Sequence, residues 1–415
     1  MRSSVSFPLV TLALGALLAA CADTTPAAVP PAETIPSVST APAEELSQED
    51  LDTALIEATW ANDVPAVTDL IERGADVDHQ DETQQSSFLI AASEGHLDIL
   101  RLALDAGADV TALDSFEGTA LIRAAERGHA NVVGDLVRTG VDLDHVNNLG
   151  YQAIHEAAWL GRDDADYATT VRVLIAAGAT ADRRSDRQGL TPTQLAGQRG
   201  FTGLVGVFEA TTAPVAEGDA NATLLRAAAD GDADLVARAL RAGADIDARG
   251  EDGRTALLHA SIGDHVAAAR VLVALGADPD VLDDRHDTAW LLTGVTGSVA
   301  MLETLLPAEP DLTIVNRFGG VSVIPASERG HVDYVRRVVQ TGIDVDHVNQ
   351  LGWTALLEAV ILGDGGEAHQ RIVDILLEAG ADPSITDNDG MTALAHAEQR
   401  GYDQIATSLR SVTAG

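Results

Sequence analysis

This chain of 415 residues contains no lysine. All 26 basic side chains are arginine, set against 64 acidic ones, so the formal charge is 26 − 64 = −38. Without lysine there can be no P-loop, whose phosphate cradle needs that side chain, and no Schiff-base chemistry. The charge also argues against nucleic-acid binding by phosphate neutralisation. A single cysteine excludes an intrachain disulfide, a cysteine-based zinc cluster and a CxxC redox pair. Aromatic residues make up 3% of the chain, so any core must be built from Ala, Leu and Val. That composition suits thin, layered helix packing better than one large globular core.

The lone cysteine sits at the end of a leader-like segment. Arg2 supplies a short positive region, and Leu9 to Leu18 is apolar over about the length of a signal-peptide core. It is too short for a stable membrane span. Leu18-Ala19-Ala20-Cys21 then resembles the lipobox of bacterial lipoproteins. The resemblance implies cleavage before Cys21, lipidation of its sulfur, and a place in the cell envelope, on the outer side of the cytoplasmic membrane or in the outer membrane of a diderm cell. The plainer alternative is an ordinary secretory signal beside a cysteine. Loss of residues 1–20 removes Arg2 and no acid, leaving 25 − 64 = −39. A domain so charged is repelled by anionic headgroups, and residues 21–47, rich in Ala, Thr, Ser and Pro, read as an extended tether. Ser47, with Asp50 three residues on, is a helix start.

From there the chain repeats. GADVDHQ at Gly74, GADVTAL at Gly107 and TGVDLDHV around Gly140 are thirty-three residues apart, and GADIDAR, GADPDVL, TGIDVDHV and GADPSIT follow from Gly243, Gly276, Thr341 and Gly380. Between them lie segments such as GTALIRAAERGHANVV and MTALAHAEQRGYDQIA. This pattern resembles the ankyrin repeat over residues 48 to about 413. The resemblance implies an all-α solenoid of stacked helix-turn-helix pairs joined by β-hairpin loops. Eleven units centre on Leu55, Phe88, Leu121, Ile154, Leu195, Leu224, Leu257, Trp290, Val323, Leu356 and Leu394. Thr119, Thr191, Thr255, Thr354 and Thr392 fall where a hydroxyl caps the first helix. Gly95, Gly128, Gly161 and Gly330 fall where a left-handed residue ends it.

A second symmetry lies above the first. TGVDLDHVNNLGY at Thr139 returns as TGIDVDHVNQLGW at Thr341, an offset of 202, and both copies carry a five-residue insertion, near 162–170 and 364–370. Two duplicated blocks follow, 48–210 and 222–415, joined by a linker at 211–221. Whether they form one solenoid or two is left open by the spacing. Unit eight has Glu309-Pro310-Asp311 in place of Gly-Ala-Asp. Together with the linker it is expected to be the least protected part of the array.

Enzyme motifs are missing: there is no GxSxG, and His155-Glu156-Ala157-Ala158-Trp159 lacks the second histidine of HExxH. Asp387-Asn388-Asp389-Gly390 resembles part of a calcium loop, but His396 stands where the bidentate glutamate should be. No cofactor, metal or small-molecule substrate is expected. His96, His129 and His331 follow helix-ending glycines, where the family's histidine bonds backbone of a neighbouring unit. His145 and His347 are solvated turn residues or contact points that sense pH.

The resemblance places partner contacts on the concave face of hairpins and first helices. In unit four that face carries Leu149, Tyr151, Trp159 and Leu160; in unit ten it carries Leu351, Trp353, Ile361 and Leu362; Phe116 and Phe318 lie one unit before each. Exposed apolar clusters of this kind mark contact surfaces, unless the insertions fold over them. Arg123, Glu156 and Glu358 face the same groove, and Arg123 could pair with Glu156. The function expected is a membrane-tethered scaffold that binds another protein, a basic one by charge, and catalyses nothing. The competing reading is an acidic envelope protein adapted to salt or stress without a dedicated partner.

Overall fold

The computed structural model describes residues 46–214 and 218–413. The leader, Cys21 and nearly all of the tether lie outside the described residues, as does the middle of the linker. Among the described residues there are 22 α-helices, two short 3-10 turns and no strand. The helices form eleven antiparallel pairs. Ser47 caps the first of them, Gln48–Trp60, by accepting from the Asp50 amide. The capping threonines behave as their positions require: Thr119, Thr191, Thr255, Thr354 and Thr392 each accept from the amide three residues on. The loops between units are tight turns, with antiparallel bridges at Leu113–Thr119 and Thr386–Thr392 alone among the described residues.

Leu121, Leu257 and Leu356 are buried between layers, while Leu394 in the last unit is only partly covered. Gly95 and Gly128 end their helices left-handed, with φ of 78°. Gly161 does not. It is needed because a Cβ there would lie 2.1 Å from the Ala157 carbonyl and 2.6 Å from the Tyr167 ring, and Gly363 repeats this against Ala359 and His369. The five-residue insertions explain both. They extend the second helices of units four and ten to Ala165–Ala177 and Glu367–Glu378, and they carry Tyr167 and His369 back over the preceding unit. There Tyr167 donates to the Glu126 carbonyl at 2.9 Å, and His369 Nε2 meets the Glu328 carbonyl at 3.0 Å. In ordinary units the same link is made by His129 to Ser93, His265 to Ala229 and His331 to Val295.

The stack is not continuous. First helices stack on first helices through units one to five, and again through units six to eleven, but Pro192–Arg199 of unit five does not stack on Ala220–Asp230 of unit six. Instead the chain reverses, and second helices of one block pack on second helices of the other. Ala233–Arg241 lies against Ala165–Ala177 and Thr202–Thr212, and Val266–Ala274 lies against Ala130–Arg138 and Ala165–Ala177. The blocks therefore run antiparallel, back to back.

Five arginines hold this seam. Arg138 donates to the Ala274 carbonyl (2.8 Å), Arg241 to those of Ile175 (2.8 Å) and Ala179 (3.0 Å), and Arg101 to that of Pro307 (2.8 Å). Each reaches carbonyls near a helix end, which have no partner within their own helix. Arg172–Asp234 and Arg270–Asp166 cross the seam as ion pairs. At the closest approach a Cβ on Gly134 would lie 1.8 Å from the Ala274 carbonyl, so only glycine fits. The irregularity of unit eight belongs here too. Leu306–Ala308 forms a 3-10 turn, and Glu309 pairs with Arg101 of unit two. The sequence departs from the repeat where the chain makes a contact between blocks, which the expectation of weak protection did not foresee.

Candidate protein-binding groove

Because the second helices of units three to seven pack in the seam, the hairpin and first-helix faces of both blocks point away from it. Most hairpin turns are built around one Asx side chain, with Ser185 and Gly250 in its place before units five and seven. Asn147 Oδ1 accepts from the amides of Leu149 (3.1 Å) and Tyr151 (3.0 Å), and Asn349 Oδ1 does the same for Leu351 (2.9 Å) and Trp353 (3.1 Å). Asp114, Asp283, Asn316 and Asp387 play this part in units three, eight, nine and eleven. In units three, four, ten and eleven the first helix sends a side chain back to the Asx from nine residues on. Asn147 donates to Glu156 and Asn349 to Glu358, both at 2.8 Å. Asp114 accepts from Arg123, and Asp387 from His396 at 2.7 Å. The types are complementary: an amide faces a carboxylate, and a carboxylate faces a cation. Asp387 is thereby spent on its own turn, and among the described residues no group of three or more acidic, His or Cys side chains could hold a metal.

This corrects the sequence reading of Arg123. It does not pair with Glu156; it binds Asp114 and Glu126 and lies over the Phe116 ring, 4.9 Å from its centre. Glu156 is 1% exposed, and its Oε2 has no hydrogen bond. Burial pushes its carboxyl up to about 7, and the same cause raises Glu358 to about 7, helped by the nearby Glu328 charge. Hairpin histidines prove to be inter-unit links: His145 Nε2 lies 2.7 Å from the Glu117 carbonyl, and His347 Nε2 lies 2.7 Å from that of Gly319.

The apolar candidates divide into two groups. Phe116, Leu160, Phe318, Leu351 and Leu362 stand about half exposed, between 45% and 53%. Leu149, Trp159, Trp353 and Ile361 are partly covered by the core beneath, with Arg199 over the Trp159 ring at 5.4 Å. Tyr151 is a correction. It is 3% exposed, and its hydroxyl accepts from Gln188 of the next hairpin, so it is a core residue and offers nothing to a partner. The insertions do not fold over the groove. They run between the neighbouring units, Tyr167 and His369 reaching back to the preceding one and Asp163 forward to cap Thr202–Thr212 through the amides of Gly203 and Leu204.

In unit nine the nine-residue pairing fails, because Pro325 stands opposite Asn316. A pocket of about 200 Å³ opens there, between units nine and ten. Phe318, Ile324, Pro325, Leu351 and Leu362 supply its apolar wall, and Asn316, Glu328, Asn349 and Glu358 its polar one. Sequence reasoning missed Asn316, Pro325 and Glu328. The signal was present as an Asx-to-helix spacing of nine with complementary types, which holds in units three, four, ten and eleven and lapses at Ile90, Leu292 and Pro325, the last beside an acid, Glu328, that lines the opening. A larger cleft of about 430 Å³ follows the seam, but its charged groups are already paired, Arg270 with Asp166 and Glu303 with Arg337.

Comparison with known proteins agrees with this architecture. Family models described as ankyrin repeats match residues 51–104, 88–185, 224–316, 296–387 and 324–414, well over half the chain. The chain belongs to the ankyrin-repeat family. A protein of Escherichia coli (strain K12) named as an ankyrin repeat protein, YahD, is 41% identical over 189 residues, 45% of this chain and 94% of that one. A solved ankyrin repeat domain from Acinetobacter baumannii AYE is 45% identical and covers 46% of this chain and 97% of its own, with a TM-score of 0.45. Another solved ankyrin repeat protein is 37% identical, covering 47% and 98%, also with a TM-score of 0.45. Ankyrin repeats generally mediate contacts between proteins and are typically non-catalytic. No helix among the described residues is long and apolar enough to cross a membrane.

Proposed function

We propose that this ankyrin-repeat protein is an envelope scaffold, held to a bilayer by lipid on Cys21, that captures a basic protein segment along its outward first-helix faces and catalyses nothing. The observation that supports it is the row of half-exposed apolar side chains, Phe318, Leu351 and Leu362, set on a chain with a formal charge of −38. Apolar groups of this size anchor interfaces, and the acidic field around them accelerates encounter with a basic partner. The back-to-back seam supports the same reading, since it covers the second helices of units three to seven and leaves two outward grooves.

The test is capture by the full chain and by Leu351→Ser/Leu362→Ser, whose substitutions touch half-exposed positions and spare the core. Loss of a salt-sensitive partner in the variant is expected; undiminished capture contradicts the groove. For the anchor, mass spectrometry of the mature N-terminus should find acylated Cys21, and Cys21→Ser should leave the membrane fraction. A wild-type protein with a bare Cys21 thiol would contradict it.

A further inference from the structure

Offset by 202 residues, the grooves of the two blocks carry the same parts: Phe116 and Phe318, Glu126 and Glu328, Glu156 and Glu358, Leu149 and Leu351, Leu160 and Leu362. They differ at the residue between them. Block one has Arg123, paired with Asp114; block two has Pro325, opposite Asn316. In block one the guanidinium of Arg123 sits over Phe116 and donates to Glu126 at 2.7 Å. In block two that resident cation is gone and the pocket stands open.

We infer that the unit-nine pocket binds an arginine side chain presented by the partner protein, with its guanidinium at Phe318, Glu328 and Glu358 and its methylene stem along Leu351 and Leu362. The inference deepens the groove reading and rests on it. Block one shows a guanidinium held by the counterparts of Phe318 and Glu328, with Glu156, the counterpart of Glu358, beneath it and unpaired with it. One acid of block two shows what is missing: among the described residues Glu328 has no cationic partner, while its counterpart Glu126 is ion-paired. Glu358 is 6% exposed and lines the pocket, and it has one hydrogen bond, from Asn349 to Oε1. Arginine fits better than lysine, because its planar fork matches carboxylates and stacks on an aromatic face. Arg317 already packs on Phe318, 4.5 Å from the ring centre, but it reaches back to Asp287 and does not line the pocket. It shows that this ring accepts a guanidinium.

The experiment is a titration of the methyl-labelled full chain with N-acetyl-arginine amide, read at Ile324, Leu351 and Leu362. N-acetyl-citrulline amide, of equal shape and no charge, serves as the control, and N-acetyl-lysine amide as the competitor. Arginine should give saturable shifts, lysine should bind at least about fivefold more weakly, and citrulline should give none. Glu328→Gln should weaken the arginine shifts at least about fivefold. Asn316→Asp/Pro325→Arg, which installs the block-one cation, should abolish them, while methyl spectra elsewhere report that both variants fold. Equal binding of citrulline and arginine overturns the inference, as does arginine binding that survives in Asn316→Asp/Pro325→Arg. A null titration beside capture lost in Leu351→Ser/Leu362→Ser defeats the pocket alone; capture that survives those substitutions defeats the groove, whatever the titration shows.

Discussion

Units three and four and units nine and ten are two editions of one surface, and they differ in whether the surface is closed. In the first edition Arg123 is paired with Asp114 and Glu126 and lies over Phe116, so the groove holds its own cation. In the second, Pro325 stands in place of the arginine and Asn316 in place of its aspartate partner, and Glu328 and Glu358 face a cavity. Duplication supplied both copies with the same frame. The frame is structural, and the difference within it is where a partner can be selected.

The largest effect should come from opening the closed copy. Arg123→Ala strands Asp114, whose side chain is fully buried. Removing one member of a buried pair costs about 3–5 kcal/mol; with Arg123 itself partly exposed, about 2–3 kcal/mol is expected in urea unfolding monitored at unit three. Pro325→Ala, at the same place in the open copy, should change stability by no more than roughly 0.5 kcal/mol. Equal costs would erase the distinction between the two editions.

Next comes pH. Burial pushes the Glu156 carboxyl up to about 7, above the ordinary 4.5 of a glutamate. The folded state therefore holds an extra proton between those values. Stability from this group is fully present below about 4.5 and lost as the pH rises through 7. The stability at stake is about 3 kcal/mol at most. Glu156→Gln, which keeps the acceptor for Asn147, should stabilise the protein at pH 8 by about 1–3 kcal/mol and change little at pH 4. Glu358→Gln should act in the same direction and less strongly, because its carboxylate lines an open pocket. Unfolding midpoints at the two pH values check both, and a gain at pH 4 as large as that at pH 8 would contradict the assignment.

The smallest effect on stability should come from the rim. Leu160→Ala and Leu362→Ala remove half-exposed side chains and should each cost less than roughly 0.5 kcal/mol. Their effects on capture should diverge, with Leu362→Ala weakening it several-fold and Leu160→Ala much less.

The fold was legible because each repeated residue has a local duty. Thr119 and Thr255 announce helix starts, and Gly95 and Gly128 announce helix ends, without any tertiary knowledge. What sequence periodicity could not show was how the two blocks meet. That seam is written in single residues, Gly134, Arg138 and Arg241, scattered through otherwise ordinary second helices, and their meaning depends on a neighbour more than sixty residues away. Unit eight illustrates the cost of reading within one repeat. Glu309 looks like decay of Gly-Ala-Asp until Arg101 is seen to meet it. The candidate site was half legible. Exposure of Leu351 and Leu362 follows from their repeat positions, but Tyr151 was placed in the groove because its link to Gln188 lies in the next hairpin. The pocket at Pro325 escaped notice because it is an exception to the Asx-to-helix pairing, which must be recognised before its breach can be.

The most direct test of groove capture is a photo-crosslinker placed in turn at Leu351, Leu362 and Trp60, the last being exposed on unit one, away from the pocket. In the full chain expressed in its cell of origin, positions 351 and 362 should yield one salt-sensitive adduct, with the crosslinked peptide of the partner containing arginine, and Trp60 should yield none of it. Adducts of the same composition at all three positions, or none at 351 and 362, would contradict the account.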